Sequence, residues 1–357
     1  MNPQFKRFYD RARILFYMLK IKGFRQKKYP FYVNLVINSM CNLKCAYCFG
    51  KYHGRKTSNT NLNFLKDLIA ELKLKKTKYI LIQGGEPFLH PDLGKIISFL
   101  NDNNIISAVS SNGQFPEKIK TTPEIELMDN ICFSLDGSEQ NNDKVRGKGV
   151  FQNVMQSIEK VKKYYSTPIR IKTTVHKFVK DDVDFMAEFA KKNKVEWGMD
   201  FLFLGNEKLD DEPLGLSKEE LLEYISSLLE YKKKGYPIFI TSKILKYAAD
   251  WPFGFETKYV DERTAKNKTR FKPIECQYGN YEIVIDEDNK VYPCQAMQGA
   301  FNAKSIIETN FDEAFDNLKN RICYTCYTPS LINTSAMINW DFKVILETIF
   351  DTVRIKL

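Results

Sequence analysis

Strand-like apolar runs alternate with helical patterns along this sequence from about Tyr32 to Leu204. This alternation constrains the fold most, because neighbouring parallel strands need a helical crossover between them. The runs with strand character are Tyr32–Asn38, Tyr79–Gln83, Ile106–Ser110, Asn130–Leu135, Ile169–Val175 and Glu196–Leu204. The intervening stretches have apolar residues three and four positions apart, as in amphipathic helices: Phe64–Leu74, Leu93–Asn101, Phe151–Tyr164 and Val183–Lys192. Six such units predict an α/β fold, an open partial (β/α)6 barrel of the TIM-like kind.

The pattern changes after the sixth predicted strand. Lys218–Lys233 predicts a helix that leaves the barrel, and Ser217 with Glu220 has the spacing of a capping box. Tyr281–Ile285 and Lys290–Tyr292, separated by a polar turn, predict a hairpin. We therefore predict four segments: a basic amphipathic N-terminal helix (1–29), the barrel (30–240), a small C-terminal module of a β-hairpin and helices (241–330), and a C-terminal amphipathic helix (331–357).

The 357 residues, 43% of them hydrophobic, are enough for one sizeable core and a smaller module. The sequence has no run of about eighteen apolar residues and no secretory signal, which predicts a cytoplasmic, reducing environment. Seven of its eight cysteines fall into two groups, which indicates metal binding rather than disulfides. Cys132 stands alone inside the fourth strand and is predicted to be a small buried apolar residue.

The first cysteine group directly follows the first predicted strand. Cys41, Cys45 and Cys48 share one short loop. Three thiolates can bind three irons of a cubane cluster and leave the fourth iron with an open coordination position. The alternative is a structural zinc site, which needs a fourth ligand, and His53 could supply it.

Small and polar residues end the next three strands, at the mouth of the predicted barrel where functional residues collect. The second strand ends with Gly84, Gly85, Glu86 and Pro87. The glycines allow close backbone approach, and the carboxylate can meet an ammonium group. A plain turn with Pro at the first helical position is the alternative.

Further candidates follow the third and fourth strands. They are Asn112, Ser134, Asp136 and Arg146. Asp136 precedes a glycine, so it could equally be a turn residue. Arg146 could equally be a solvated surface charge.

The order of these segments resembles the radical SAM superfamily, whose members cleave S-adenosylmethionine (SAM). The cysteines match its C-x3-C-x2-C motif, with the aromatic Tyr47 before the third cysteine, and residues 84–87 are similar to its GGEP motif. The resemblance implies a 4Fe-4S cluster held by three cysteines, with SAM chelating the open iron. One-electron reduction then releases a 5'-deoxyadenosyl radical, so a reductant such as flavodoxin or ferredoxin is implied as a partner.

The same resemblance implies how SAM is bound. Residues 84–87 would bind the methionyl amino group. Asn112, Ser134 and Asp136 lie in segments that would contact the ribose and the methionyl part, and Arg146 would pair with the SAM carboxylate.

Cys276, Cys294, Cys323 and Cys326 form the second group, with seventeen residues between the first two, twenty-eight before the third and two between the last pair. Four thiolates can close a metal site completely, and the spacing alone leaves zinc and an iron-sulfur cluster equally open. A hairpin with the first cysteines and a later C-x2-C is similar to the twitch domain of SPASM and twitch radical SAM enzymes. This resemblance implies one auxiliary 4Fe-4S cluster, which would transfer electrons and hold the module's fold.

Both ends of the chain carry apolar residues at helical spacing. Nine Lys and Arg residues face one Asp over the first thirty positions. Such a helix could lie on an anionic membrane, at its inner face, or pack against the barrel base. A second apolar stripe lies near the C-terminus, and the two helices could also pack on each other. The second stripe consists of Ile338, Phe342, Ile345, Leu346, Ile349 and Val353.

The substrate is predicted to be a lipid or another membrane-associated molecule, because the short basic N-terminus is more like that of radical SAM enzymes acting on isoprenoid lipids. Peptides and small metabolites are the alternatives, although only forty residues precede Cys41, too few for a winged-helix leader-binding domain. Nucleic acid is disfavoured because no aromatic RNA-binding module is visible. A non-enzymatic iron-sulfur electron carrier or regulator would have no need of residues 84–87.

Overall fold

The computed structural model describes residues 9, 12–14, 16–18, 28–48, 50–52, 55–56, 58–202, 208–209 and 212–354, with the backbone alone for 352–354. The central strands are β1 (Tyr32–Val36), β2 (Tyr79–Gln83), β3 (Ile106–Ser111), β4 (Asn130–Ser134), β5 (Ile169–Val175) and β6 (Glu196–Phe201). The helices between them are α1 (Leu62–Leu74), α2 (Leu93–Asp102), α3 (Pro116–Lys120), α4 (Glu139–Arg146), α5 (Val150–Tyr164) and α6 (Val183–Asn193). The predicted strands and connecting helices are confirmed, with ends that differ by a few residues. Positions 203 and 204 lie outside the described residues.

The six strands lie side by side in sequence order, and each pairs in parallel with the next. Their carboxyl ends therefore point the same way, and the loops that follow them meet at one rim, here called the mouth. This arrangement confirms the predicted α/β fold with an open partial barrel.

The chain continues through further helices and short strands. They are β7 (Lys208–Leu209), β8 (Glu212–Pro213), α7 (Lys218–Lys233), α8 (Ser242–Ala249), β9 (Tyr259–Val260), α9 (Glu262–Lys266), β10 (Glu282–Ile285), β11 (Lys290–Tyr292), β12 (Lys304–Ser305), α10 (Phe311–Asp316), β13 (Thr325–Cys326), α11 (Pro329–Ile338) and α12 (Phe342–Arg354). The capping box of α7 is confirmed, because Ser217 Oγ accepts from the Glu220 amide and the Glu220 carboxylate accepts from the Ser217 amide.

The predicted hairpin is confirmed, since β10 and β11 pair antiparallel. The structure adds that β10 also pairs in parallel with β1, with Tyr32 opposite Glu282. Within the described residues, nine strands thus form one sheet in the order β12-β11-β10-β1-β2-β3-β4-β5-β6. The C-terminal hairpin extends the barrel sheet at the edge of β1.

Alternate residues of the barrel strands pack under the helices. Val33 and Leu35 of β1, Ile80 and Ile82 of β2 and Phe133 of β4 are at most 1% exposed and belong to one large apolar cluster with the helices. Each such side chain contributes roughly 1.5–3 kcal/mol of burial free energy. The other alternate residues face the barrel interior.

Part of the predicted N-terminal helix closes the base of the barrel. Residues 12–14 and 16–18 are helical, and Met18 packs with Phe31 and Ile338, with Ile14 at its side. Of the two predicted partners of this helix, an anionic membrane and the barrel base, the structure supports the barrel base for residues 12–14 and 16–18. Tyr9 and Phe16 are 52% and 58% exposed. Most of the predicted helix, including Phe5, Phe8, Leu15 and Leu19, lies outside the described residues.

The predicted C-terminal stripe is buried only in part. Ile338 and Ile345 are buried, whereas Phe342, Leu346 and Ile349 are exposed, and the Val353 side chain lies outside the description. In the portion of the chain that the structure describes, no helix has the length and apolarity to cross a membrane.

Candidate active site

The loop after β1 carries the first cysteine group at the mouth. Cys41, Cys45 and Cys48 are each partly exposed, and the Cys48 amide donates to the Cys45 carbonyl over 3.1 Å. Burial raises the pKa of Cys41 to about 11, and the neighbouring thiols of Cys45 and Cys48 add to the rise. The three sulfurs are thus close enough to influence one another's charge, and a bound cation would favour their thiolate forms.

The segment after β2 packs directly against this loop. The Gly85 amide donates to the Asn38 carbonyl over 3.0 Å, and the Glu86 amide donates to the Met40 carbonyl over 2.7 Å. A Cβ atom on Gly84 would lie 2.4 Å from Asn38 Oδ1, and one on Gly85 would lie 2.2 Å from the Met40 carbonyl oxygen. Both positions therefore require glycine because of this close approach, which is made by the chain's own loop.

Glu86 is fully buried behind the two glycines. Its carboxylate accepts from the Phe88 amide (3.0 Å), the Ser111 hydroxyl (2.9 Å) and the Asn112 amide (2.6 Å). Burial raises the pKa of Glu86 to about 7, although these donors oppose the rise. The donors orient the carboxylate without neutralising it, so an ammonium group on a ligand would be a suitable counter-charge. Pro87 begins a 3-10 turn, so the turn considered as an alternative is also present.

The residues that end β3 and β4 lie at the same rim. Asn112 Nδ2 donates to Asn42 Oδ1 over 2.9 Å and lies 3.8 Å from Cys41 Sγ. Ser134 is half-buried at the last position of β4. The structure therefore brings Asn112 into contact with the cysteine loop and places Ser134 on a neighbouring strand.

Asp136 and Arg146 form a buried ion pair beside the cysteine loop. Arg146 Nε donates to Asp136 Oδ2 over 2.7 Å, and the two side chains are 7% and 0% exposed. The Tyr47 hydroxyl donates to the same oxygen, and Arg146 Nη1 lies 4.0 Å from Cys45 Sγ. Arg146 is therefore not a solvated surface charge. Asp136 is also a turn residue, because it precedes Gly137, whose φ is 93°. Its side chain in addition joins Tyr47 of the cysteine loop to Arg146 of α4.

His176, the residue directly after β5, lies beside Tyr47. Its ring centroid is 5.4 Å from that of Tyr47, and its Nδ1 accepts from the Phe178 amide over 3.2 Å. Its Nε2 is buried without a hydrogen-bond partner among the described atoms. Burial lowers the pKa of His176, which favours the neutral ring. Its position directly after β5 is the sequence signal that could have identified it.

The barrel interior is polar and partly open to solvent. On β4, β5 and β6 the inward-facing positions are partly exposed except for Asn130 and Glu196, whereas the alternate positions under the helices are buried. The polar residues that point inward from the strands are Asn34, Gln83, Ser110, Asn130, Ser134, Arg170, Lys172, Thr174, Glu196, Asp200 and Glu282. Such a lining suits a polar ligand more than an apolar one.

Two sets of inward-facing residues make specific contacts. Lys172 Nζ lies 2.6 Å from Asp200 Oδ2, and the side chains remain 36% and 23% exposed. On the opposite wall Gln295 Nε2 donates to Gln83 Oε1 over 2.6 Å, and Gln83 Nε2 donates to Asn34 Oδ1 over 3.0 Å. The interior thus offers an accessible ion pair facing a chain of side-chain amides.

The prediction that Cys132 is simply a buried apolar residue is wrong. Cys132 is half-buried and points into the interior, on the strand next to Lys172. Burial raises its pKa, and Lys172 and Arg170 oppose this rise. The sequence pattern of β4 could not show which face of the strand is exposed to the barrel interior, because Ile131 and Phe133 beside Cys132 are apolar as well.

The second cysteine group comes together in the C-terminal part of the chain. Cys276, Cys294 and Cys326 are each 7% exposed, and Cys323 is partly exposed. The Cys276 amide donates to the Tyr324 carbonyl over 2.8 Å, which joins the segment before β10 to the C-x2-C segment. Burial raises the pKa of Cys294, and the thiols of Cys276 and Cys323 raise it further. The four thiols therefore share one buried region.

The donor chemistry of both groups fits iron-sulfur clusters. In the described part of the chain, no three His, Cys, Asp or Glu side chains stand where they could hold a metal ion. In a cluster each thiolate binds its own iron, so the sulfurs need not meet at one point. His53, the fourth ligand of the zinc alternative, lies outside the described residues.

Arg55 connects the cysteine loop to the C-terminal hairpin. Its Nη1 lies 2.6 Å from Glu287 Oε1 and 3.4 Å from Asp286 Oδ2, and its Nε donates to the Gly50 carbonyl over 2.7 Å. Its guanidinium also lies 4.8 Å from the ring centroid of Tyr52. The two cysteine groups therefore belong to parts of the chain that are in direct contact.

Residues 35–190 match the family model of the radical SAM superfamily. The chain is 25% identical over 319 residues to GTP 3',8-cyclase of Helicobacter pylori (strain HPAG1), covering 87% of this chain and 92% of that protein. It is 29% identical over 158 residues to mycofactocin maturase MftC of Mycolicibacterium smegmatis, covering 42% of this chain and 38% of that protein.

Two solved structures share the fold. SuiB of Streptococcus suis, bound to precursor peptide SuiA, has a TM-score of 0.59 at 14% identity, over 83% of this chain and 67% of SuiB. The protein anSMEcpe, with bound AdoMet and a peptide, has a TM-score of 0.60 at 17% identity, over 91% of this chain and 99% of that one. Residues 35–190 of this enzyme therefore form a radical SAM domain, the kind of domain that binds a 4Fe-4S cluster and S-adenosylmethionine.

Proposed function

We propose that Cys41, Cys45 and Cys48 hold the SAM-binding cluster and that this chain abstracts hydrogen from a polar substrate inside the barrel. The cluster supplies the electron that cleaves SAM into methionine and a 5'-deoxyadenosyl radical. The observation that supports this proposal most is the position of the three thiols at the mouth, where Cys41 contacts Asn112 and its loop packs against the glycines of the GGEP-like segment.

Several residues at the mouth are proposed to bind SAM. Glu86 would meet the methionyl ammonium, and the backbone of Gly84, Gly85 and Pro87 would allow that group to approach. Asn112 and Ser134 offer hydrogen-bonding groups to the ribose and methionyl parts. This proposal keeps the sequence-based assignment of these six residues.

Tyr47, Asp136 and Arg146 are proposed to act together at the other side of the mouth. The ion pair between Asp136 and Arg146 leaves further guanidinium N–H groups of Arg146 free to turn toward a carboxylate, because guanidinium has five donors. Tyr47 is bonded to Asp136 and thereby fixes the loop next to Cys48.

Cys276, Cys294, Cys323 and Cys326 are proposed to hold one auxiliary 4Fe-4S cluster, as in a twitch module, with structural zinc as the alternative. Four protein ligands leave no open position for substrate. Its role would be to pass electrons and to stabilise the C-terminal module. A flavodoxin or ferredoxin is proposed as the external reductant.

The substrate is proposed to be a peptide, or another polar molecule, rather than a lipid. Lys172 and Asp200 can bind charged groups, and the amides of Asn34, Gln83 and Gln295 can pair with peptide groups. SuiB and anSMEcpe, which share the fold, have each been solved with a peptide bound. GTP 3',8-cyclase, named for a nucleotide, supports a small polar metabolite as the second candidate.

Iron analysis and SAM turnover test the cluster proposal. Anaerobically reconstituted protein should bind about eight irons and form 5'-deoxyadenosine when reduced. Replacing Cys41, Cys45 and Cys48 by Ala should leave about four irons and abolish 5'-deoxyadenosine. The matched control is Cys132→Ala, which should keep both clusters. One cluster plus one tightly bound zinc in the wild type would overturn the auxiliary-cluster proposal.

A substrate survey tests the polar interior. Substrate commonly increases SAM cleavage when it receives the radical, so 5'-deoxyadenosine should rise with a peptide fraction and not with a lipid fraction. Lys172→Met should reduce this stimulation without loss of iron, because Lys172 is not one of the proposed iron ligands. Stimulation by lipid alone would contradict a polar substrate, and stimulation by nucleotides alone would favour the second candidate.

A further inference from the structure

The outer face of α12 is an exposed apolar stripe. Phe342, Leu346, Ile349 and Phe350 are 61%, 53%, 39% and 69% exposed. Their spacing of four, three and one positions places them on one side of the helix. Large apolar side chains grouped in this way mark a surface that binds another surface.

The inner face of α12 holds the acidic residues of the helix. Glu347 Oε1 accepts from the Ser242 amide and hydroxyl over 2.7 and 2.8 Å, and Asp351 Oδ2 lies 2.6 Å from Lys232 Nζ. Both carboxylates are therefore turned toward the protein. Lys343 is exposed next to the stripe.

The described residues 12–14 and 16–18, which pack near the start of α12, belong to a strongly basic stretch of the sequence. Residues 1–28 contain nine Lys and Arg residues and one Asp, whereas the whole chain has a net charge of +10. Within this segment Met18 packs against Ile338, four positions before the stripe begins at Phe342. Phe16 adds another exposed aromatic side chain, 58% accessible.

We propose that α12 and the basic N-terminal segment attach this enzyme to the surface of an anionic lipid bilayer. The stripe enters the headgroup region, and the basic residues bind the anionic lipids. The charge of the chain favours an anionic bilayer over a second copy of the chain as the partner of the stripe. Two copies of a chain with a net charge of +10 repel each other across the stripe, whereas an anionic surface attracts such a chain. The proposal concerns where the enzyme works and does not depend on its substrate.

Vesicle co-sedimentation of the full-length protein tests this inference. The protein should bind vesicles of phosphatidylcholine and phosphatidylserine, bind pure phosphatidylcholine at least about tenfold less, and be released by high salt. The double variant Leu346→Asn with Phe350→Ser should weaken binding by about tenfold or more. Both side chains are exposed, so iron content and the melting temperature should not change.

The matched control removes equal apolar surface elsewhere. Leu74 and Ile307 are 81% and 65% exposed, and Leu74→Asn with Ile307→Asn should bind vesicles like the wild type. Wild-type protein that ignores anionic vesicles, or a stripe variant that binds them normally, would overturn the inference. A wild-type dimer that becomes monomeric in the stripe variant, without vesicle binding, would show that a second copy covers the stripe.

Discussion

Glu86 has an environment suited to a bound cation, because the described hydrogen bonds to its carboxylate come from two amides and a hydroxyl and none from a Lys or Arg side chain. Three donors orient its buried carboxylate, yet burial still raises its pKa to about 7. The SAM ammonium group would therefore supply the missing charge. The residue binds no iron in the proposed site, so its effect on SAM can be separated from its effect on the cluster.

Glu86→Gln should weaken SAM binding by about tenfold or more while iron content stays near that of the wild type. Equilibrium dialysis with SAM and an iron assay measure the two effects. The control is Glu219→Gln on α7, where the side chain is exposed, and it should change neither quantity. Normal SAM affinity in Glu86→Gln would show that the GGEP assignment is wrong.

Glu282 is a second buried carboxyl group, at the floor of the barrel on β10. Tyr278 influences it, but neither carboxylate oxygen has a hydrogen bond of good geometry among the described atoms. Burial raises its pKa to about 8. An unfolded Glu has a pKa of about 4.3, so between these values the folded state holds the extra proton. The free energy of unfolding therefore falls as pH rises through this window.

Glu282→Gln should remove this pH dependence. The stability of the variant relative to the wild type should increase from about pH 5 to about pH 8 and level off above that. Urea unfolding at several pH values measures the difference, with Glu219→Gln as the exposed control. Parallel pH profiles for Glu282→Gln and the wild type would contradict this account.

At the scale of elements, two glycines determine how closely the β2 end approaches the cysteine loop. Gly85→Ala would place a Cβ 2.2 Å from the Met40 carbonyl oxygen, so the loop must move. We expect about four fewer irons and no SAM cleavage, while the auxiliary irons remain. Gly198→Ala is the matched control, because its Cβ would meet Lys172 Cδ at 3.8 Å and the Ile171 carbonyl oxygen at 4.0 Å, which are ordinary contacts. An unchanged iron content in Gly85→Ala would show that the close approach is not required.

The elements were predictable where periodicity was strong. β2 and β5 were predicted with their correct ends, and so was α7 with its cap. Periodicity reports which face of a strand is apolar, so it did not reveal that Cys132 faces an open interior. It also carries no information about distant partners, so neither the Asp136–Arg146 pair nor the contact of Arg55 with Glu287 was predicted.

At the scale of the whole molecule, the main feature that the sequence did not indicate is the pairing of β10 with β1. Each paired residue of β10 lies 250 positions after its partner in β1, as Ile285 does after Leu35. Local pattern cannot specify such a pair, because each strand is compatible with several neighbours. The pairing makes the C-terminal part a component of the barrel sheet, and Ser330 on α11 strengthens the connection by donating to Asp200 over 2.9 and 2.6 Å.

A truncation tests how far the barrel depends on this connection. A chain ending at residue 240 would expose the edge of β1, leave Lys232 without Asp351 and remove the Ser330 donors of Asp200. An uncovered strand edge promotes association, so we expect this truncation to aggregate on size-exclusion chromatography. The full-length variant with Cys276, Cys294, Cys323 and Cys326 replaced by Ser is the control, since it loses the proposed auxiliary cluster but retains β10. That control should stay more soluble and keep about four irons. A soluble, monomeric truncation that binds its cluster would instead establish residues 30–240 as an independent domain.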